Sequence, residues 1–141
     1  MGKLNLAAGI FVVLALLGAA YGVDIALRHG FDHSWPAHAR YHVVVSGLHL
    51  VALSLLTAAA AIGGLRRRRR AAWFTLAIVA PATWAAWPLA RLVAGQPPPG
   101  WVQLLTLGAV LMALFALAIS FRAIFDGDRG PSRPSAPPIG E

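Results

Sequence analysis

The sequence predicts an all-α integral membrane protein, an antiparallel four-helix transmembrane bundle with both termini in the cytoplasm. Of its 141 residues, 58% are apolar and 12% are charged, whereas about a quarter of the residues in a soluble domain are charged. Four segments each supply about 20 mostly apolar residues, which is the length that crosses a bilayer. Basic residues are concentrated on alternate connections between these segments, and this asymmetry predicts the orientation.

The chain divides into a membrane domain, residues 1–125, and a short tail. The predicted spans cover about 4–23, 41–65, 71–92 and 101–121. Residues 126–141 are polar and Pro-rich, and we expect a disordered cytoplasmic tail there. A cleaved signal peptide is the alternative for the first span, because Lys3 precedes an apolar stretch that ends in small residues at Gly18 and Ala20.

Positive charge is distributed unequally between the two sides of the predicted bundle. The N-terminus, the connection between the second and third spans and the tail share one side, which carries nine of the twelve Lys and Arg residues. By the positive-inside rule this side is cytoplasmic, and we expect a multi-pass protein of a bacterial inner membrane. The nine are Lys3, Arg66, Arg67, Arg68, Arg69, Arg70, Arg122, Arg129 and Arg133, against Arg28, Arg40 and Arg91 outside.

The run of five arginines, 66–70, predicts contact with the bilayer. Arginines beside a span attract anionic lipid headgroups, which we expect as their partner. Nucleic acid is excluded as a partner, because a connection this short cannot present a groove-reading element. Aromatic residues mark both interfaces of the membrane. They are Tyr21, Trp35, Tyr41, Trp84, Trp87 and Trp101 at the outer boundary, and Trp73, Phe74, Phe121 and Phe125 at the inner one.

Small residues indicate where the spans pack together. Gly18 and Gly22 form a GxxxG pattern in the first span, which allows the backbones of two helices to approach closely. Pro81 lies near the middle of the third span, where it removes a backbone hydrogen bond and predicts a kink. The kink is either purely structural or opens a cavity at membrane depth.

The second helix carries a narrow polar stripe. We expect Ser34 to cap its N-terminus and Pro36 to occupy its first turn. At 100° per residue, four polar residues fall within about 80° of one another, and these are His38, His42, Ser46 and His49. Polar groups are costly in hydrocarbon, so we expect the stripe to face the bundle interior. His49 is the one histidine at membrane depth, where it bonds another helix, at Thr83 or Gln103, or contacts a ligand.

His38 and His42 form an HxxxH pair on one face, an arrangement that zinc and iron sites use. A metal needs at least a third ligand, which Asp24, His29, Asp32 or His33 supplies only by folding back. The Glu of an HExxH zinc protease is absent, since Arg40 lies between the histidines. We therefore expect no cofactor, with zinc or iron at His38 and His42 as the alternative.

Catalytic motifs are missing from the chain. It has no cysteine, no Ser within GxSxG, no Gly-rich phosphate loop and no carboxylate pair. An enzyme is therefore not indicated. Asp24 and Arg91, at the outer ends of the first and third spans, are expected to pair with each other or with His38 and Arg40.

The segment Trp35–His42, WPAHARYH, resembles a family of small four-span membrane proteins of unknown function that carry W-P-x-H-A-R-x-H after the first span. The resemblance implies that Trp35, Pro36, His38, Ala39, Arg40 and His42 matter to the family, and it implies no activity. The layout is also similar to DoxX-like and sterol-isomerase-type proteins, whose bundles enclose an apolar ligand. The acidic ligand-binding residues of the latter type are absent from these spans.

These patterns together predict a binding protein. We expect an outward-facing vestibule that binds a small apolar or amphipathic ligand. A metal-dependent membrane enzyme that uses His38 and His42 and a structural subunit of a larger complex are the alternatives, and a homodimer is a further expected assembly. The predicted ligand-binding residues are Asp24, His38, Arg40, His42, Ser46, His49, Trp84, Trp87 and Arg91.

Overall fold

The computed structural model describes residues 2–93, 95 and 100–126, apart from the side chains of Trp87, Ala90 and Arg91. This part of the chain forms four α-helices and no strand, which confirms the predicted all-α fold there. Each helix overlaps one predicted span, whereas the predicted tail lies outside the described residues except for residue 126. The helices are α1 (Lys3–Gly30), α2 (Ala37–Ala59), α3 (Arg70–Val93) and α4 (Gly100–Phe125).

The helix α2 continues through a π-helical segment, Ala60–Gly64, and a 3₁₀ turn, Leu65–Arg67, before the chain reverses into α3. Arg68 adopts a left-handed conformation with φ of 58°, and its N–H donates to the carbonyl of Leu65 at 2.9 Å. Backbone bonds of this kind satisfy the carbonyls that a helix leaves unpaired at its C-terminus. The side chains of all five arginines of the turn are exposed.

Glycines bring α1 and α2 into close contact. Gly18 and Gly22 of α1 and Gly47 of α2 are all buried. A methyl group at Gly22 would lie 2.7 Å from the carbonyl oxygen of Gly47, and one at Gly18 would lie 2.6 Å from the hydroxyl of Ser54. The GxxxG pattern of α1 is thus at a helix–helix contact, as the sequence predicts.

Each helix of the bundle packs against two main neighbours. Within the described residues α1 packs mainly against α2 and α4, and α3 packs mainly against the same two helices. Half of the buried apolar residues of the core are alanines, and the larger ones include Phe11, Leu65 and Leu76, which are completely buried. Trp73 extends from α3 towards the end of α4, where its indole N–H donates to the carbonyl of Leu117 at 3.2 Å.

Most large apolar side chains point away from the bundle. Leu16, Ile78 and Leu104, on three different helices, are 65%, 70% and 73% exposed. Three helical stretches of the described chain, Lys3–Gly30, Ala37–Arg67 and Gly100–Phe125, are long and apolar enough to cross a membrane. The helix α3 is not one of these three, so its crossing remains a prediction from the sequence.

Candidate ligand site along helix α2

The polar segment before α2 is a turn that Asp32 organises. The backbone N–H and the hydroxyl of Ser34 donate to Oδ1 of Asp32, at 3.0 and 2.6 Å. The Ser34 hydroxyl, followed by its backbone N–H, holds the pKa of the Asp32 carboxyl below the ordinary value. The prediction that Ser34 caps α2 is wrong, because the residue before the helix is Pro36 and no side chain caps it. Asp32 engages the hydroxyl of Ser34 instead.

His38 and His42 form a direct pair at the start of α2. Their Nε2 atoms are 3.0 Å apart, and their rings meet edge to face with centroids 4.3 Å apart. Both side chains are exposed. Within the described residues no group of three or more His, Asp or Glu side chains could hold a metal, so the predicted third ligand is not in place.

The charged residues around this pair bond elsewhere. Nη1 of Arg40 donates to Nδ1 of His33 at 2.9 Å. Nε of Arg28 donates to Oδ1 of Asp24 at 2.6 Å, one turn away along α1. The predicted pairing of Asp24 with His38 or Arg40 is therefore wrong, since α1 extends past Asp24 and supplies a closer partner. The side chain of Arg91, the other predicted partner, lies outside the described residues.

The prediction that the polar stripe faces the bundle interior is wrong. Glycine decides the orientation of α2, because Gly47 lies across the helix from the stripe and packs against Gly22. Small residues allow two helix backbones to approach closely, and this contact turns the stripe outward. The exposed residues are His38, His42, Ser46 and His49, and the buried ones on the opposite face are Gly47 and Ser54.

The inner half of the stripe lines an open groove between α2 and α3. The groove has a volume of about 560 Å³, and its walls are aliphatic apart from Ser46, His49 and Thr83. The hydroxyl of Thr83 donates to the carbonyl of Val79 at 2.7 Å, within its own helix. His49 has no hydrogen-bond, ion-pair or ring partner among the described residues, and the predicted bond to Thr83 or Gln103 is not formed there.

Trp84 lies in the core rather than in an outward vestibule, with 5% of its surface exposed. The indole of Trp84 lines an apolar groove of about 620 Å³ between α1 and α4. It also lines a small cavity at the centre of the bundle and so lies between the two. The predicted vestibule residues are therefore distributed over several places. His38 and His42 form one pair, Ser46 and His49 share the α2–α3 groove, and Trp84 is buried. The side chain of Trp87 lies outside the described residues.

A small polar centre inside the bundle was not among the predicted sites. Ser54, Thr57 and Thr83 line a cavity of about 10 Å³, which is close to the smallest space that holds a water molecule. The hydroxyl of Ser54 is buried and has no partner among the described residues, whereas that of Thr57 donates to the carbonyl of Leu53 at 2.9 Å. Ser54 lies two helical turns after Gly47, and this spacing is the signal that assigns it to the inner face.

Comparisons with known proteins found no relative of the chain. No family model, curated protein or solved structure matches the chain. The resemblance of Trp35–His42 to the four-span family, and that of the layout to DoxX-like proteins, stay predictions from the sequence.

Proposed function

We propose that the chain is a multi-pass protein of a bacterial inner membrane, with helices that cross in alternating directions and termini in the cytoplasm. Three helices of sufficient length and apolarity support the membrane assignment. The hydrogen bond from Nε of Arg66 to Oδ1 of Asn5, at 3.3 Å, supports a common side for the N-terminus and the arginine turn. The exposed arginines of that turn support contact with anionic headgroups.

We further propose that the α2–α3 groove binds a small amphipathic ligand. The observation that carries this proposal is the exposed imidazole of His49, which has no partner among the described residues and lines a groove whose other walls are aliphatic apart from Ser46 and Thr83. His49 is near the middle of the 31-residue helix Ala37–Arg67, so a crossing of the membrane would put it deep in hydrocarbon. A polar group without a hydrogen bond is costly there, and polar residues at that depth mark functional sites.

The groove has the size and chemistry that a ligand with one polar group requires. Its volume of about 560 Å³ falls within the range of about 300–1,000 Å³ that small-molecule sites occupy. Ile78 and Ala82 supply apolar walls, while Ser46 and His49 supply one hydroxyl and one imidazole. A hydroxyl or carbonyl group on an aliphatic body would bond to His49 and bury its remainder against the walls.

Photo-crosslinking tests this proposal on protein purified in detergent. A long-chain alcohol that carries a diazirine is bound, activated by light and located by mass spectrometry of peptides. We expect labelling of α2 and α3 around the groove, and a decrease of at least fivefold in His49→Leu, since one hydrogen bond to an imidazole contributes about 1 kcal/mol or more. His42→Leu, the same change outside the groove, is the control and should leave the labelling unaltered.

The apolar groove between α1 and α4 provides an internal reference, because it has a similar volume and no polar side chain. Equal labelling of both grooves that His49→Leu does not change would contradict a site at His49. A second result would also contradict the proposed ligand site: the alcohol does not bind, and the protein dimerises through α2 instead. In that case a second copy of the chain, rather than a ligand, would contact His49.

A further inference from the structure

We propose that His38 and His42 form a binding site for Cu²⁺. The two imidazoles extend from successive turns of α2, and both are exposed, so a dissolved ion reaches them directly. Their Nε2 atoms are 3.0 Å apart. When the proton on one of these Nε2 atoms moves to Nδ1 of the same ring, both imidazoles stay neutral and both Nε2 atoms are free to bind one metal ion as a chelate.

The separation of the nitrogens favours one coordination geometry. An ion about 2.0–2.1 Å from both atoms would hold them at an angle of about 90–97°, because they are 3.0 Å apart. Square-planar and tetragonal ions, Cu²⁺ and Ni²⁺, place neighbouring ligands near this angle. A tetrahedral ion such as Zn²⁺ would need the nitrogens about 3.3–3.4 Å apart at the same bond lengths.

Ligand type separates copper from the remaining divalent ions. Two neutral imidazoles bind Cu²⁺ more tightly than Ni²⁺ or Zn²⁺, in the general order of stability for nitrogen ligands. The chain has no cysteine, and its methionines are remote in sequence from this turn, so the soft sulfur ligands that favour the reduced ion Cu⁺ are missing.

The neighbouring residues leave the pair free for a metal. The guanidinium of Arg40 is bonded to His33, and the carboxyl of Asp32 is bonded to Ser34. Neither group is bonded to the imidazoles of His38 and His42. Water completes the coordination, because no third His, Asp or Glu joins the pair among the described residues. The result is an open, exchangeable copper site at the start of α2.

This site is independent of the proposed ligand groove. His38 and His42 are not among the residues that line the groove, whose histidine is His49. The copper proposal is therefore tested independently of the proposed amphipathic ligand.

Copper titration of the full chain tests the proposal. Untagged protein in detergent is titrated with CuCl₂ at about pH 7.5 in the presence of glycine as a weak competing ligand. Electron paramagnetic resonance reports the geometry and the number of coordinated nitrogens. We expect one bound Cu²⁺ per chain and a tetragonal spectrum with splitting from two nitrogens.

Matched histidine variants assign the ligands. We expect the dissociation constant to rise at least tenfold in His38→Ala and in His42→Ala, and to stay unchanged in His33→Ala and His49→Ala. Both substituted positions are on the surface, and circular dichroism of the copper-free variants checks that the helices are intact. Copper binding that survives both His38→Ala and His42→Ala would overturn the proposal.

A competition with zinc tests the choice of metal. We expect that ZnCl₂ displaces half of the Cu²⁺ only at a concentration at least tenfold above that of copper. Displacement at equal concentrations would overturn the assignment to copper, since a tetrahedral ion would then fit the pair equally well.

Discussion

At the scale of single residues, glycine rather than histidine determines how α2 is oriented. The stripe of four polar residues predicts an inner face, but the structure buries Gly47 and leaves His49 exposed. The physical reason is distance, since the α1 and α2 backbones approach closely only where neither helix carries a side chain. Gly22 and Gly47 meet at that point, and the opposite side of α2 is turned outward with its histidines.

Gly47→Ala tests this explanation. The added methyl group would lie 2.5 Å from the carbonyl oxygen of Gly22 and 2.9 Å from Cβ of Ala26, so the two helices must separate. We expect a loss of about 1–3 kcal/mol in the free energy of unfolding, the usual cost of an overfilled contact. This loss should appear as a lower midpoint temperature when thermal unfolding in detergent is followed by circular dichroism.

Gly9→Ala is the matched control for that substitution. Gly9 is inside a helix as Gly47 is, in this case α1, yet a methyl group there would meet no atom of another element within 4 Å. Alanine favours a helix over glycine by about 0.5–1 kcal/mol, so the midpoint should stay the same or rise. If the unfolding midpoint of Gly47→Ala is as high as that of Gly9→Ala, then α1 and α2 are not in close contact at Gly47.

At the scale of elements, the sequence predicts the helices well and their contacts less well. Long apolar runs require helices in hydrocarbon, so all four predicted spans coincide with helices. The sequence does not fix which side of an apolar helix packs inward, because Leu and Val suit both lipid and protein. Trp84 illustrates this, since an aromatic residue near the end of a span predicts an interface position and the structure buries it.

The turn between α1 and α2 provides a prediction on pH. The Ser34 hydroxyl, with its backbone N–H, lowers the pKa of Asp32, so ionised Asp32 stabilises the turn. A carboxyl with a lowered pKa contributes this stability above its ordinary pKa of 3.8 and loses it as the pH falls through the lowered value. We therefore expect an intact turn at neutral pH that loosens only in strong acid.

Titration of the Asp32 carboxyl by ¹³C NMR measures this effect. In Ser34→Ala the largest cause of the shift is removed, so the pKa of Asp32 should move up towards its ordinary value. Ser34→Thr keeps the hydroxyl and should retain the lowered pKa. An identical titration of Asp32 in the alanine variant would show that the hydroxyl does not bond the carboxylate.

At the scale of the whole molecule, most large apolar side chains lie on the outside of the bundle, as the proposed membrane location predicts. Among the most apolar 18 residues of each of the three membrane-compatible helices, only 22–39% are buried inside the bundle. Soluble monomers rarely expose continuous apolar patches larger than a few hundred Å². Alanine and glycine fill the interior and leucine covers the exterior, which suits a bundle that hydrocarbon solvates.

The orientation of that bundle can be measured with single cysteines, because the chain contains none of its own. Phe31→Cys lies before α2 at a position 73% exposed, and Arg67→Cys lies at the opposite end of the 31-residue helix. At about 1.5 Å per residue that helix is about 46 Å long, which exceeds the hydrocarbon thickness of about 30 Å. Positive charge gathered around Arg67 should retain that end in the cytoplasm.

An impermeant maleimide applied to intact spheroplasts should therefore label Phe31→Cys at once, and Arg67→Cys only after the membrane is disrupted. The reverse labelling pattern would show the opposite orientation of the bundle in the membrane, with the histidine pair in the cytoplasm. Labelling of both cysteines in intact cells would mean that α2 does not cross the membrane. In that case His49 would contact water instead of hydrocarbon. Its imidazole would then be hydrogen-bonded by water, and there would be no energetic reason to expect a ligand in the α2–α3 groove.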